Sequence, residues 1–202
     1  MDDFIEWSGA AQPVAIDSKL RRAQSLVGSS AGRPKDDFYP TPPDATLALL
    51  AHEEFPGIIW EPACGDGAIS EIVRTLPGTT KVISTDLVDR GYGEPGQDFF
   101  KTYHAVDHII TNPPYALAGE FVRHALEQTS GKTAMLLKLS FLEGAKRKSL
   151  FENSPLKTVY VFSKRVSMFR NGEKGDYSSG MIAFAWFVWE HGYEGEPTIR
   201  WL

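Results

Sequence analysis

Asn112-Pro113-Pro114-Tyr115 follows directly on the apolar run His108-Ile109-Ile110-Thr111. Two consecutive prolines fix φ at both positions and remove two backbone donors. The segment therefore cannot continue a central strand and forms a stiff corner. There the Asn112 side-chain oxygen and the Pro113 carbonyl can point the same way, as two acceptors with no competing donor. Tyr115 offers a flat face beside them. Such a corner suits a planar NH2 group on a ring or an amide.

Upstream lies Glu61-Pro62-Ala63-Cys64-Gly65-Asp66-Gly67. Gly65 and Gly67 let the backbone approach a ligand closely. The turn lacks the Lys of a triphosphate-binding loop, and Glu61 favours an ammonium group instead. Asp86 ends the next strand-like run, where a carboxylate can bind the two hydroxyls of a ribose. Asp98 can accept from an adenine amino group, and Phe99 can pack on the purine face. Ammonium, ribose and adenine together describe S-adenosyl-L-methionine. Taken singly, Asp86 or Asp98 reads equally as a helix cap, and Phe99 as core. Cys64 fits packing better than nucleophilic chemistry.

The elements that must position these residues alternate. Strands are expected at 58–60, 81–85, 107–111, 133–139, 158–162 and 181–190. Helices are expected at 44–54, with Leu47, Leu49 and Leu50 as its apolar stripe, and at 68–76, 116–128 and 143–152. Phe121, Val122, Ala125 and Leu126 recur at helical spacing in the third. This order predicts an α/β fold: an open, mostly parallel sheet covered by helices on both faces. The last two strands have no obvious helix between them, which predicts an antiparallel final pair. Residues 1–33 read as a flexible segment, and 34–202 as one catalytic domain.

The chain has 202 residues and a single cysteine, so no internal disulfide can form. Its longest apolar run, 181–189, is too short to span a bilayer, and no secretory signal is evident; the chain reads as cytoplasmic. The histidines show no ligand spacing, so no metal is expected. Net charge is −5, which argues against coating nucleic acid by bulk attraction. Between 138 and 174, however, nine basic residues face three acidic ones. That local excess fits a phosphate-bearing substrate, and equally a solvated basic surface.

On these motifs the chain resembles the amino-group methyltransferases that modify N6 of adenine in DNA, particularly small phage and prophage members. Thr41-Pro42-Pro43 resembles the family's N-terminal cofactor motif. Glu61, Ala63 and Gly65 match its Gly-rich motif, Asp86 the ribose acid, Asp98-Phe99 the adenine pair, and Asn112 to Tyr115 the catalytic motif. The resemblance covers roughly residues 38–190. It implies a Rossmann-like class I methyltransferase fold, a seven-stranded sheet with an antiparallel final hairpin. The cofactor is S-adenosyl-L-methionine, held by Tyr39, Thr41, Glu61, Pro62, Ala63, Cys64, Gly65, Asp86, Leu87, Asp98, Phe99 and Asn112. The implied catalytic residues are Asn112, Pro113, Pro114 and Tyr115.

The same resemblance implies that the substrate adenine is flipped out of the duplex. Tyr115 stacks on it, Phe169 is a second wall or a core residue, and Lys164, Arg165, Arg170 and Lys174 contact phosphates. DNA is the expected partner, with RNA as an alternative, and the chain acts as a monomer or homodimer. Larger relatives carry a separate target-recognition domain, for which no segment is evident, so site choice falls to the loops, chiefly 164–180. The role is that of a restriction–modification partner or a phage self-protection enzyme. Asn-Pro-Pro-Tyr also occurs in enzymes that methylate glutamine in release factors, or adenine and guanine in RNA. A further alternative is a binding protein on a retired methyltransferase fold.

Overall fold

Short β-rich runs alternate with helical ones, and this pattern closes into one sheet with a helix layer on each side. The structure is a computed structural model that describes residues 38–166 and 182–202. The segment expected to be flexible, 1–33, lies outside the described residues, as do Phe169, Arg170 and Lys174. Among the described residues eight strands pair: β1 (Gly57–Glu61), β2 (Thr79–Asp86), β3 (Glu94–Pro95), β4 (His108–Thr111), β5 (Lys132–Lys138), β6 (Leu156–Val161), β7 (Phe184–Glu190) and β8 (Thr198–Trp201). Their order across the sheet is β3-β2-β1-β4-β5-β7-β6-β8.

The first five strands run parallel to one another. β7 is antiparallel to both β5 and β6, and β8 pairs parallel to β6. The expected architecture is therefore present, with eight strands in place of seven. The strands absent from the sequence reading are the two edges. β3 is two exposed residues with a proline, which an edge tolerates, and β8 is exposed at all four positions. β3 is too short to carry a period, and β8 alternates over only Thr198, Ile199, Arg200 and Trp201, with its two apolar residues exposed.

Among the described residues four α-helices cover the sheet: α1 (Pro43–Leu50), α2 (Ser70–Val73), α3 (Ala118–Gln128) and α4 (Ala145–Glu152). Successive strand residues point to opposite faces, and the core divides accordingly. Ile109, Met135 and Leu137 pack with Phe121, Val122 and Ala125 of α3 and Leu150 of α4. Ile110, Ala134 and Leu136 pack with Leu49 of α1 and with Ile69 and Val73 around α2.

Two helices differ from expectation. On α1 the buried face is Ala45, Thr46 and Leu49, while Leu47 is 53 % exposed. At about 100° per residue, a side chain two positions from Ala45 and from Leu49 points away from both. α2 is a single turn because Pro77 disfavours helical geometry at the residue before it.

β1 passes to β2 on one side, and the chain then returns to place β4 on β1's other side. Such a reversal leaves a crevice at the carboxyl ends of the two strands. Two indoles fix its walls. Trp186 Nε1 donates to the Ala45 carbonyl at 2.8 Å and so anchors the first turn of α1 to the sheet. Trp60 Nε1 donates to Thr85 Oγ1 at 2.9 Å and ties β1 to β2 just before Asp86. Thr85→Val keeps the shape of this buried residue but leaves the indole N–H unpaired. It is expected to lower stability by about 1–3 kcal/mol, read from urea denaturation; an unchanged midpoint would show that the bond contributes nothing net.

Candidate functional site

A cavity of about 510 Å³ opens at the carboxyl ends of β1, β2 and β4, within the ~300–1,000 Å³ typical of small-molecule sites. Every residue of the expected cofactor set lines it: Tyr39, Thr41, Glu61, Pro62, Ala63, Cys64, Gly65, Asp86, Leu87, Asp98, Phe99 and Asn112. Of the expected catalytic residues, Asn112 and Pro114 line it; Pro113 and Tyr115 do not. The sequence reading missed Phe38, Arg90, Phe100, Leu117 and Phe121, which line it as well. Phe38 opens the proline-rich run 38–43 and Arg90 precedes Gly91, whereas Phe100, Leu117 and Phe121 stand outside any Gly-rich or proline-rich signal.

Glu61 ends β1 and is 2 % exposed. Its Oε2 accepts the Ser70 backbone N–H at 2.8 Å and the Ser70 hydroxyl at 2.5 Å. Burial still holds the carboxyl well above its ordinary range, and Asp66 and Asp86 nearby push the same way. Gly65 adopts φ +57°, and a Cβ there would run into the Phe38 ring. The N-terminal strap 38–41 therefore seats directly on the Gly-rich turn. Cys64 is buried, and desolvation beside Glu61 and Asp86 pushes its thiol up to about 12. A thiol so far from ionisation is inert at neutral pH, which agrees with packing as its role.

Asp86 ends β2. Its Oδ2 accepts the Gly65 N–H and its Oδ1 the Val88 N–H, each at 2.8 Å. The carboxylate is thus fixed in orientation, and each oxygen keeps further acceptor capacity. Asp98 is held differently. Its Oδ2 meets Lys101 Nζ at 2.9 Å, and that contact pulls its pKa down. Phe99 is 3 % exposed, packed edge-on against Trp60 and His124 and beside Phe121. It serves the core and the cavity wall together, so the two readings of this residue do not compete.

The corner after β4 carries the most specific geometry. Asn112 Nδ2 donates to the Tyr39 carbonyl at 2.9 Å and to Thr41 Oγ1 at 3.1 Å. Asn112 Oδ1 is buried with no hydrogen-bond partner among the described residues. A buried acceptor left unpaired costs free energy, and such groups point to an incoming donor. Pro114 turns the chain into a 3₁₀ turn, Tyr115–Leu117, that leads into α3.

Tyr115 is half-buried outside the cavity. Its ring lies beside Tyr39 (centroids 5.9 Å apart, planes at 29°) and Phe184 (5.6 Å), with Lys138 Nζ 4.9 Å from its centroid. Lys164 and Arg165 are exposed just past the carboxyl end of β6. Not all of the basic excess gathers at this edge. Lys157 begins β6 at the opposite end, bonded to Glu190 at 2.6 Å, and Arg147 folds onto the carbonyls of Glu143 and Ser140. Among the described residues no group of His, Cys, Asp and Glu could hold a metal ion, and no helix is long and apolar enough to cross a membrane.

No protein-family model matches the sequence, and no curated protein matches it. Several solved structures share its fold. A candidate RNA methyltransferase of Pyrococcus horikoshii superposes with a TM-score of 0.56 at 16 % identity, over 87 % of this chain and 98 % of that one. A dimethyladenosine transferase of Plasmodium falciparum gives 0.54 at 17 %, over 76 % and 63 %. A type I restriction–modification methyltransferase subunit of Streptococcus thermophilus gives 0.53 at 14 %, over 75 % and 44 %. The fold is that of the class I methyltransferases.

Glu61 gives this site a pH signature. Its carboxyl stays protonated in the folded chain at pH values where the unfolded chain has released the proton. The stability this contributes is full below the unfolded value and is lost as pH rises through the folded one. Without ligand, stability is expected to fall with rising pH above the ordinary value of 4.5, and Glu61→Gln to flatten that fall. Urea titrations at a series of pH values check both; identical profiles would mean that Glu61 is ionised throughout.

Proposed function

We propose that this chain is an S-adenosyl-L-methionine-dependent methyltransferase whose substrate is the N6 amine of adenine in DNA, presented as a flipped-out base. The observation that carries the reading is Asn112 Oδ1, a buried acceptor without a partner among the described residues, in the wall of a cavity that also holds Glu61, Asp86 and Asp98. The residues fit the cofactor chemically. Glu61 suits its ammonium, Asp86 two ribose hydroxyls, Asp98 its adenine amine, and Phe99 with Phe100 the purine. Thr41 suits the methionine carboxylate with a hydroxyl proton.

When bound, the cofactor supplies an electrophilic methyl group on a positively charged sulfur. The chain supplies position and charge. The adenine amine is a poor nucleophile because its lone pair is delocalised into the ring. Asn112 Oδ1 and the Pro113 carbonyl accept its two hydrogens, which favours a pyramidal nitrogen with the lone pair turned outward. Among the described residues no backbone N–H competes for the Pro113 carbonyl. The developing positive charge on nitrogen is met by these fixed dipoles without reorganisation. No covalent intermediate is needed.

Nucleic acid is favoured over a glutamine side chain by Lys138 over Tyr115 and by the exposed Lys164 and Arg165 past β6 on the same sheet edge. A base that stacks on Tyr115 takes the place of Lys138 beside that ring, with stacking worth roughly 1–3 kcal/mol. Phe169, Arg170 and Lys174 complete the proposed substrate set.

The test is incubation with methyl-labelled cofactor and, separately, DNA, RNA and a glutamine-containing protein. Label on N6 of adenine in DNA is expected. Label on RNA or protein moves the reading to the corresponding amino-methyltransferase, and cofactor binding without transfer makes the chain a binding protein. Asn112→Ala is expected to lower kcat on the order of 10²–10³-fold, while calorimetry shows cofactor affinity nearly unchanged. Equal loss of both would make Asn112 a structural residue.

A further inference from the structure

Asn112 is useful as an acceptor only in one of its two amide orientations. Turned over, Nδ2 would present hydrogens to the hydrogens of an incoming amine. The strap 38–41 decides between the two. Both Nδ2 hydrogens are spent, one on the Tyr39 carbonyl at 2.9 Å and one on Thr41 Oγ1 at 3.1 Å. In the turned amide, Oδ1 would face the Tyr39 carbonyl oxygen with no proton between them. The strap is itself fixed: Phe38 lies on Gly65 and under the Arg90 guanidinium (4.2 Å), Tyr39 lies beside Tyr115 (5.9 Å), and Thr41 precedes the helix turn that Trp186 anchors.

From this geometry we infer that Thr41 and the Tyr39 carbonyl are positioning groups: they lock the Asn112 amide so that Oδ1 alone faces the substrate nitrogen. The inference rests on the reading of Asn112 as the amine acceptor and assigns a second duty to the strap, beyond the cofactor. The Thr41 hydroxyl accepts one hydrogen from Asn112 and retains its own to donate into the cavity. The same hydroxyl therefore touches both halves of the reaction. The lock also specifies Asn over Asp. A carboxylate at 112 would set a negative oxygen against the Tyr39 carbonyl, and only its protonated form could replace the amide's donor.

Three variants of the full-length chain test this, with two readouts. The first is independent of activity. By ¹⁵N NMR, the Asn112 side-chain NH2 of the parent is expected to exchange slowly with water, Thr41→Val to speed one of its protons at least about tenfold, and Thr41→Ser to restore protection. The second is kcat. Thr41→Val is expected to lower it about three- to tenfold, in keeping with the loss of one hydrogen bond, again with rescue by Thr41→Ser. Asn112→Asp is expected to be nearly inactive at neutral pH and to gain activity as pH falls, whereas the parent does not.

The charged groups around position 112 are Glu61, Asp66, Asp86 and Asp98 along the cavity, with Arg90 and Lys138 against Phe38 and Tyr115. They are the same in parent and variant, so the difference between the two profiles isolates residue 112. Parental kcat and pH profile in Asn112→Asp, or an Asn112 NH2 indifferent to Thr41→Val in a variant that melts like the parent, overturns the inference. A parent that methylates nothing, with the NMR response as expected, would instead defeat the functional reading and leave the lock standing.

Discussion

A carboxylate buried at the end of β1 is the group around which the described site is arranged. Glu61 is almost wholly withdrawn from water, and Asp66 and Asp86 stand near enough to raise its pKa further. Ser70 holds one oxygen with two bonds, and the Ser70 hydroxyl in turn lies 2.6 Å from Ser84 Oγ. Those bonds favour the charged form, yet desolvation outweighs them. Packing alone has no use for such an arrangement, since an apolar residue would fill the volume without the electrostatic cost. A cation entering the cavity reverses the balance, because an opposite charge within a few ångström favours ionisation.

The other end of the cavity has the same incompleteness in a different form. Asn112 Oδ1 is buried without a partner among the described residues, and Asp86 retains acceptor capacity after two backbone bonds. The lining is thus rich in acceptors, and the complement is a ligand rich in donors and positive charge. Fold resemblance at the identities found here cannot supply that conclusion; it comes from the unfilled valences of named side chains.

Much of this was legible in the sequence because the cavity-lining residues sit where strands must stop. Glu61 and Asp86 end β1 and β2, the paired prolines at 113 and 114 follow the end of β4, and the parallel order of the strands brings those ends to one edge. The positions missed are those without such punctuation. Phe100 and Phe121 look like ordinary core aromatics until the loop after β3 and the first turn of α3 are folded against each other, 5.3 Å between ring centroids. Arg90 reads as a surface cation, and only the tertiary fold lays it on Phe38. Tyr115 was legible as an aromatic at the corner, but not its engagement with Tyr39 and Phe184, which come from opposite ends of the chain. The edge strand β8 was missed although Thr198-Ile199-Arg200-Trp201 alternates, because the run is only four residues long and exposed throughout, so its apolar residues join no core.

Charge shows how one face can serve two ligands of opposite sign. The cavity is acidic, with Glu61, Asp66, Asp86 and Asp98 along it. A polyanion brought to that opening would be repelled if the acids were its only electrostatic environment. Lys138, Lys164 and Arg165 stand instead at the ends of β5 and β6, across β4 from the acids. The Asn112 corner thus lies at the boundary between the two fields, with the acidic side suited to the methyl donor and the basic side to a phosphate backbone. Over the whole chain the acids win, at −5, which keeps non-specific attraction weak. The sheet order does the sorting: β1 and β2 carry the acids on one side of β4, β5 and β6 the cations on the other, and the proline-stiffened turn after β4 stands between them.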